Sequence, residues 1–218
     1  MGTSVAVSAR AALPVSAWEY IMDTDPLTSA THQLHFEHFD AIQAQEHREE
    51  VEAIFRGSYL EAIHSGMAVE SPRAFMQRFD AYTAPNRPTG FELVIAHRGK
   101  QPCGQAWGWP LQRNTAWWGG LMLDSDDIDE FIVEDGTRTF ALSEIMVHSE
   151  LAGQGIAQSL HNELLDSRPE SRATLLVHPG NPRAYDTYLR WGWYRVGVLR
   201  QSWPKAPRFD VLIHDLRS

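Results

Sequence analysis

The sequence predicts an α/β domain organised around one mixed sheet, and three observations carry that expectation. Leu142 to Val147 is a short, mostly apolar run of strand type that leads through Gly153-Gln154-Gly155 into a helical pattern. Ala173 to Val177 repeats the theme, a second strand followed by the helix-opening pair Asn181-Pro182. Phe91 to His97 and Cys103 to Trp109 flank the turn-forming Arg98-Gly99-Lys100 as a hairpin, which makes part of the sheet antiparallel. Strands mixed with helices in this order predict a central, mostly antiparallel sheet flanked by helices.

Residues 1–30 mix Ala, Ser, Thr and Pro without sustained periodicity and read as an arm, partly disordered, that docks locally through Trp18. The remainder, 31–218, reads as a single domain. His32 to Asp40 is expected to be an edge strand. His35 and His38 would face opposite sides of it, so they cannot converge on one metal ion, and no metal site is expected. From Gln45 to Ile63 the residues Val51, Ile54, Phe55, Tyr59, Ala62 and Ile63 fall on one stripe, with the charged residues largely elsewhere; this is an amphipathic helix packed on a sheet. Ser71-Pro72 opens a shorter helix carrying Phe75, Met76 and Phe79, ended by Pro85 and Pro88.

After the hairpin comes an aromatic stretch with Trp107, Trp109, Trp117 and Trp118, then an acidic one from Asp124 to Asp135. Together they could attract a cationic ligand through cation–π contact and long-range attraction. The plainer reading is a core-packed aromatic strand followed by a solvated acidic loop. Cys103 lacks a neighbouring base or cation that would make it a thiolate, so it reads as a small strand residue.

The next segment holds the chemistry. Behind the glycine turn, Ile156, Leu160 and Leu164 mark one apolar face of a helix running to about Arg168, where Pro169 limits it. Strand, small-residue turn and helix N-terminus make an anion cradle, because unpaired N–H groups and the positive end of the dipole point outward. A dinucleotide-binding unit would need a third small residue where this chain has Gln158, and an acid where the next strand ends in His178-Pro179. In the second helix, Asn181 caps the start, Ala184 and Tyr188 share a face, and Gly192 stops it. Val198 to Arg200 continues a strand, Trp203-Pro204 begins a turn, and Phe209 to Leu216 is a half-covered antiparallel strand.

Composition narrows the function. The formal net charge of -9 argues against a nucleic-acid surface, and 43% hydrophobic residues over 218 suffice for a sizeable core. The single cysteine excludes an internal disulfide framework. No apolar run reaches the length of a membrane span, nor does Met1 to Ala12 suit a secretory signal, so a cytoplasmic location is expected.

These residues resemble the GNAT superfamily of acyl-CoA-dependent N-acyltransferases. Glu144-Ile145-Met146-Val147 through Gly153-Gln154-Gly155-Ile156-Ala157 is similar to that family's pyrophosphate-binding motif, and Asn181, Ala184, Tyr188 and Gly192-Trp193 to the helix at the cofactor's thiol end. The resemblance implies a GNAT-like sheet with the cofactor in a cleft where two central strands splay. It implies that Gly153, Gln154, Gly155, Ile156, Ala157 and Gln158 hold the pyrophosphate of acetyl-CoA. It further implies that the backbone of Ile145, Met146 and Val147 pairs with the pantetheine arm, that Asn181 contacts that arm, and that Tyr188 gives a proton or hydrogen bond to the sulfur. One departure is Ala152, where the family usually carries Arg or Gln on the phosphate; more of the task then falls to backbone N–H groups.

Amide formation needs the acceptor ammonium to lose a proton, its nitrogen to reach a thioester carbonyl, and a departing thiolate to be protonated or stabilised. Glu144 is the candidate to attract the cation and take its proton, directly or through water; an ordinary polar strand residue is the plainer reading. The expected activity is transfer of acetyl from acetyl-CoA to a primary amine by direct attack in a ternary complex, with a small cationic acceptor. A protein or peptide N-acetyltransferase and a non-catalytic acyl-CoA-binding module are the alternatives. Expected partners are acetyl-CoA and the amine, with neither nucleic acid nor membrane, for a monomer or homodimer.

Overall fold

The computed structural model describes residues 34–58, 71–85, 90–124, 127–200 and 206–216. The arm with Trp18, His32, the end of the long helix at Tyr59, Ala62 and Ile63, Pro88, and the Trp203-Pro204 turn lie outside the described residues.

In chain order the elements are β1 (Leu34–Phe39), α1 (Ala41–Glu46), α2 (Arg48–Ser58), α3 (Pro72–Tyr82), β2 (Glu92–Arg98), β3 (Gln101–Pro110), β4 (Leu121–Leu123), α4 (Ile128–Phe131), β5 (Thr139–Val147), α5 (Ile156–Leu165), β6 (Arg172–Val177), α6 (Pro182–Arg190), β7 (Tyr194–Arg200) and β8 (Arg208–Asp215). The strands form one eight-stranded sheet in the order β1-β2-β3-β5-β6-β8-β7-β4. Among the described residues only the β5–β6 pairing is parallel; the other six are antiparallel. The sheet is therefore mixed and mostly antiparallel, and β1 lies at its edge.

The helix expected from Gln45 is divided. Asp40, which the sequence reading placed at the end of the first strand, caps α1: its carboxylate accepts from the N–H groups of Ile42 and Gln43, and Gln43 reaches back to the Asp40 N–H. His47 then ends α1, and its carbonyl accepts from Val51 to start α2. Ser71 caps α3 through the Ala74 N–H, and Pro72 sits in the first turn, as its fixed φ favours.

Helices cover both faces of the sheet. On one side α5 and α6 pack Ile156, Leu160, Leu164, Ala184 and Tyr188 against Val94, Ala96, Ile145, Val147, Leu175 and Val177. Complete burial of an aliphatic side chain such as Leu160 is worth roughly 1.5–3 kcal/mol. On the other side α2 and α3 bring Ile54, Phe55, Phe75 and Phe79 onto Leu93, Ile95 and Trp107. A third cluster continues that side beyond β3, around Leu111, Trp117, Trp118, Leu176 and Val211.

This third cluster corrects the aromatic-strand expectation. Trp117 and Trp118 lie in a turn before β4, and both are buried. The Trp118 indole N–H donates to Glu134, a buried carboxylate that also accepts from the Thr139 hydroxyl and pairs with Arg172. The Arg172 guanidinium lies 5.7 Å from the Trp118 ring centre and 4.3 Å from that of Phe131. The cation beside these aromatics is thus internal, and Glu134 fastens the acidic segment to the core.

Candidate active site

The pairing of β5 with β6 runs only from Thr139–Ala141 to Arg172–Thr174. Beyond it the two parallel strands continue to Val147 and Val177 without pairing to each other, and this is the splay expected of the cleft. On its other edge β5 remains zipped to β3, with Ile145, Met146 and Val147 opposite Ala106, Gln105 and Gly104. One edge of that backbone is consumed, while the edge towards β6 is not paired with it.

A bulge sets which side chains face which way. Trp107 and Gly108 are consecutive on β3 but oppose Glu144 and Leu142, leaving Ser143 as the extra residue on β5. Before it, Phe140 and Leu142 face the α5 side; after it, Ile145 and Val147 do. The inserted residue shifts the alternation by one, so Glu144 and Met146 face α2 and α3. Gly108 makes the bulge possible, because a Cβ there would lie 2.2 Å from the Ala141 carbonyl oxygen.

Glu144 is 4% exposed, and its carboxylate lies 3.8 Å from the Arg78 guanidinium on α3. His148, just past β5, continues the same row: its ring lies against Gly57 at the end of α2, 2.9 Å from where a Cβ would be. Burial pushes the His148 pKa down, against the opposing charge of Glu150, and so favours the neutral imidazole.

Tyr188 occupies the opposite face. It is buried in the α5-side core with Ile145, Val147, Leu175 and Val177. Its position follows from how α6 ends. Gly192 has φ of 86°, which lets its N–H bond Leu189 and the Trp193 N–H bond the Tyr188 carbonyl, and the Trp193 ring meets the Tyr188 ring edge-on at 5.9 Å. Asn181 begins the helix by accepting from the Ala184 N–H at 3.1 Å. The turn before it is held by His178, which accepts from Gly180 through Nδ1 and from Asn181 through its carbonyl.

Between β5 and α5 a single 3-10 turn, Ser149–Leu151, leads into the glycine turn. Gly153 and Gly155 both have φ of 80°, yet a Cβ on either would meet nothing within 4 Å. Their need is conformational: the left-handed region disfavours any side chain. Gly155 is the N-cap of α5 and offers no side-chain acceptor, so the N–H groups of Ile156, Ala157 and Gln158 at the helix start have no intrahelical partner. Residues 153–155 are exposed. Uncapped N–H groups at the positive end of a helix, behind an exposed glycine turn, fit a phosphate, and β5 and β6 being parallel, this turn and Asn181 stand at the same end of the splay.

The predicted residues thus form one ensemble with Glu144 and Tyr188 on opposite faces. Cys103 stands apart: its buried thiol donates to the Ala96 carbonyl, and burial pushes its pKa up, which disfavours thiolate. Sequence reasoning missed Arg78, His148 and Arg98. Arg98, expected in a turn, ends β2 and reaches Gln154. These contacts join distant segments, and no local pattern announces them.

The sequence profile of the Acetyltransferase (GNAT) family matches residues 49–193. No curated protein matches the chain significantly. Among solved structures, the ribosomal-protein-alanine N-acetyltransferase of Brucella melitensis is similar at 16% identity and a TM-score of 0.53, covering 84% of this chain and 99% of that one. A mutant spermidine N-acetyltransferase from Vibrio cholerae is similar at 13% identity and a TM-score of 0.52, over 84% of this chain and 94% of that one. An N-acetyltransferase from Thermoplasma acidophilum, in complex with coenzyme A, gives 10% identity and a TM-score of 0.50 over 84% and 99%. At such identities these structures speak for the fold. The family match runs from the start of α2 to Trp193, just before β7, well over half of the sequence, and the chain belongs to the GNAT acetyltransferase family.

Proposed function

We propose that this chain moves an acetyl group from acetyl-CoA to a primary amine by direct attack within a ternary complex. The observation that carries the reading is the splay of β5 from β6, with an uncapped glycine turn at its end, Glu144 on one face and Tyr188 on the other. Acetyl-CoA supplies the thioester. Gly153 to Gln158 hold its pyrophosphate, the free edge of Ile145 to Val147 aligns the pantetheine arm, and Asn181 orients it. Glu144 attracts the acceptor ammonium and takes its proton directly or through water. The nitrogen forms the amide bond as the carbon–sulfur bond breaks, and the Tyr188 hydroxyl gives the sulfur a proton or hydrogen bond. The acceptor is a small cationic amine, drawn by a chain of net charge -9. One domain, 31–218, carries the activity in the cytoplasm.

A second reading has one observation in its favour. The Arg78 guanidinium beside Glu144 competes with an ammonium for the same carboxylate, as a binding module without acceptor chemistry would allow. Calorimetric titration with acetyl-CoA, then thiol release with spermidine or a Lys-rich peptide, separates the readings. Saturable binding with amine-dependent release of thiol is expected, and faster release with the peptide would move the acceptor to protein. Binding without release from any amine favours the silent module. No binding of acetyl-CoA, or equal binding of NAD, would sink the transferase reading.

A further inference from the structure

We infer that Arg98 is a phosphate contact of the cofactor site, the cation that reaches the glycine turn from outside its own segment. This rests on the acetyl-CoA reading above.

The turn Ala152-Gly153-Gln154-Gly155 carries no cationic side chain, and Glu150 just before it is an exposed carboxylate that opposes an anion. A backbone cradle alone would have to hold a multiply charged ligand in a chain of net charge -9. Arg98 answers this deficit by its position. On β2, Val94 and Ala96 face the α5 side, whereas His97 turns to the other face and bonds Glu50 at 2.7 Å. Arg98 returns to the α5 side, and its Nη2 donates to the Gln154 side-chain oxygen at 2.8 Å. The strand that launches it is fixed on both edges, since Arg98 is in register with Leu34 of β1 and Gln101 of β3.

The bonding partner matters as much as the place. Gln154 is neutral, so it orients the guanidinium without cancelling its charge. Among the described residues no carboxylate lies within ion-pair distance of Arg98, and its buried Nε has no hydrogen-bond partner. Two other arginines of the sheet and its connections differ: Arg195 on β7 is shared between Asp210 and Asp124, and Arg168, between α5 and β6, is shared between Glu92 and Glu170. A planar guanidinium with unused donors, tethered beside uncapped helix N–H groups, matches phosphate oxygens in geometry and in charge. Coenzyme A offers two such groups, the pyrophosphate and the 3′-phosphate, and the chemistry at Arg98 is the same for both.

The test is calorimetry on the full chain with coenzyme A and with 3′-dephospho-coenzyme A, using the wild type, Arg98→Ala, Arg98→Lys and, for an exposed arginine elsewhere, Arg113→Ala. Arg98→Ala should weaken coenzyme A binding about tenfold, the scale of one charge-assisted contact, and flatten its salt dependence. Arg98→Lys should recover part of the loss. An equal loss for the dephospho compound assigns the contact to the pyrophosphate, and a loss confined to coenzyme A assigns it to the 3′-phosphate. Unchanged affinity in Arg98→Ala while the wild type binds, or an equal loss in Arg113→Ala, overturns the role of Arg98. Failure of the wild type to bind removes the acetyl-CoA reading itself.

Discussion

The two faces of β5 are built by different means. On the α5 side the candidate groups, Arg98 apart, come from one continuous segment, 142–193, and act largely through backbone: the strand edge, the glycine turn, and the helix that carries Tyr188. On the α2 and α3 side they are side chains assembled from distant segments, Glu144 with Arg78 and His148 with Gly57. Backbone sites tolerate many side chains but few changes of conformation, and side-chain sites show the reverse. Gly155→Glu tests the first half of that contrast and should have the largest effect. A carboxylate at the mouth of an anion site opposes the ligand by several kcal/mol, so coenzyme A affinity should fall at least ~100-fold. Because φ is 80° at this residue, stability should also drop by about 1–2 kcal/mol. Calorimetry read beside circular dichroism separates the two losses, and retained affinity in a folded variant would move the cradle elsewhere.

Tyr188→Phe comes next. It removes one hydroxyl from a buried ring that keeps its contacts with Trp191 and Trp193 at 5.7 and 5.9 Å. If the hydroxyl serves the leaving sulfur, kcat should fall about 100-fold while KM for acetyl-CoA stays within a factor of about two. Unchanged kcat would reduce Tyr188 to a packing residue. Glu144→Gln should act more mildly, about tenfold in kcat, since water can accept the acceptor's proton in its place. The signature is in the pH profile: without the carboxylate, activity should depend more steeply on the fraction of uncharged amine and recover towards alkaline pH. A profile identical to wild type would remove Glu144 from proton transfer and leave its pairing with Arg78 as structural.

The same contrast explains what could be read beforehand. Asn181 and Ser71 were legible as helix caps, and Gly153, Gly155 and Gly192 as turn residues, because each signal lies within a few positions of its effect. The splay around Ile145 to Val147 followed from resemblance and not from any residue pattern, since strand separation depends on which partner runs alongside. Three features were invisible for the same reason. β4 is three residues long and exists through pairing with β7. The bulge at Ser143 exists through Gly108, on another strand. Arg98 meets Gln154 across 56 positions. Asp40 was misread although its cue was local: an acid followed three residues later by Gln is a capping box, but the strand pattern before it ran on into the cap.

The smallest expected effect asks whether the α5 side is held as one block. His161 on α5 accepts the Trp193 indole N–H at Nε2, 2.9 Å away, which leaves the imidazole proton on Nδ1 to be donated to Asn162, also at 2.9 Å. The ring is 4% exposed and borders Trp191 and His214. Burial, above all, pushes its pKa below the ordinary value, with His214 adding to that and Asn162 and Asp166 opposing it. A depressed histidine binds its proton more readily when unfolded, so stability is full above about pH 6.5 and is lost as pH falls below it. His148 contributes with the same sign, whereas His38, whose pKa is raised by Glu92 and Glu163 against its own desolvation, contributes with the opposite one. The wild-type curve alone therefore mixes signs, and the informative quantity is its difference from His161→Gln, which keeps an acceptor for Trp193 but cannot titrate. Denaturant unfolding at pH 7.5 and 5.5 should show the wild type losing about 1 kcal/mol more than the variant, the scale of one buried hydrogen bond. Equal losses would mean that the bond between α5 and the end of α6 yields without consequence, and that Tyr188 is positioned by the helix end at Gly192 alone.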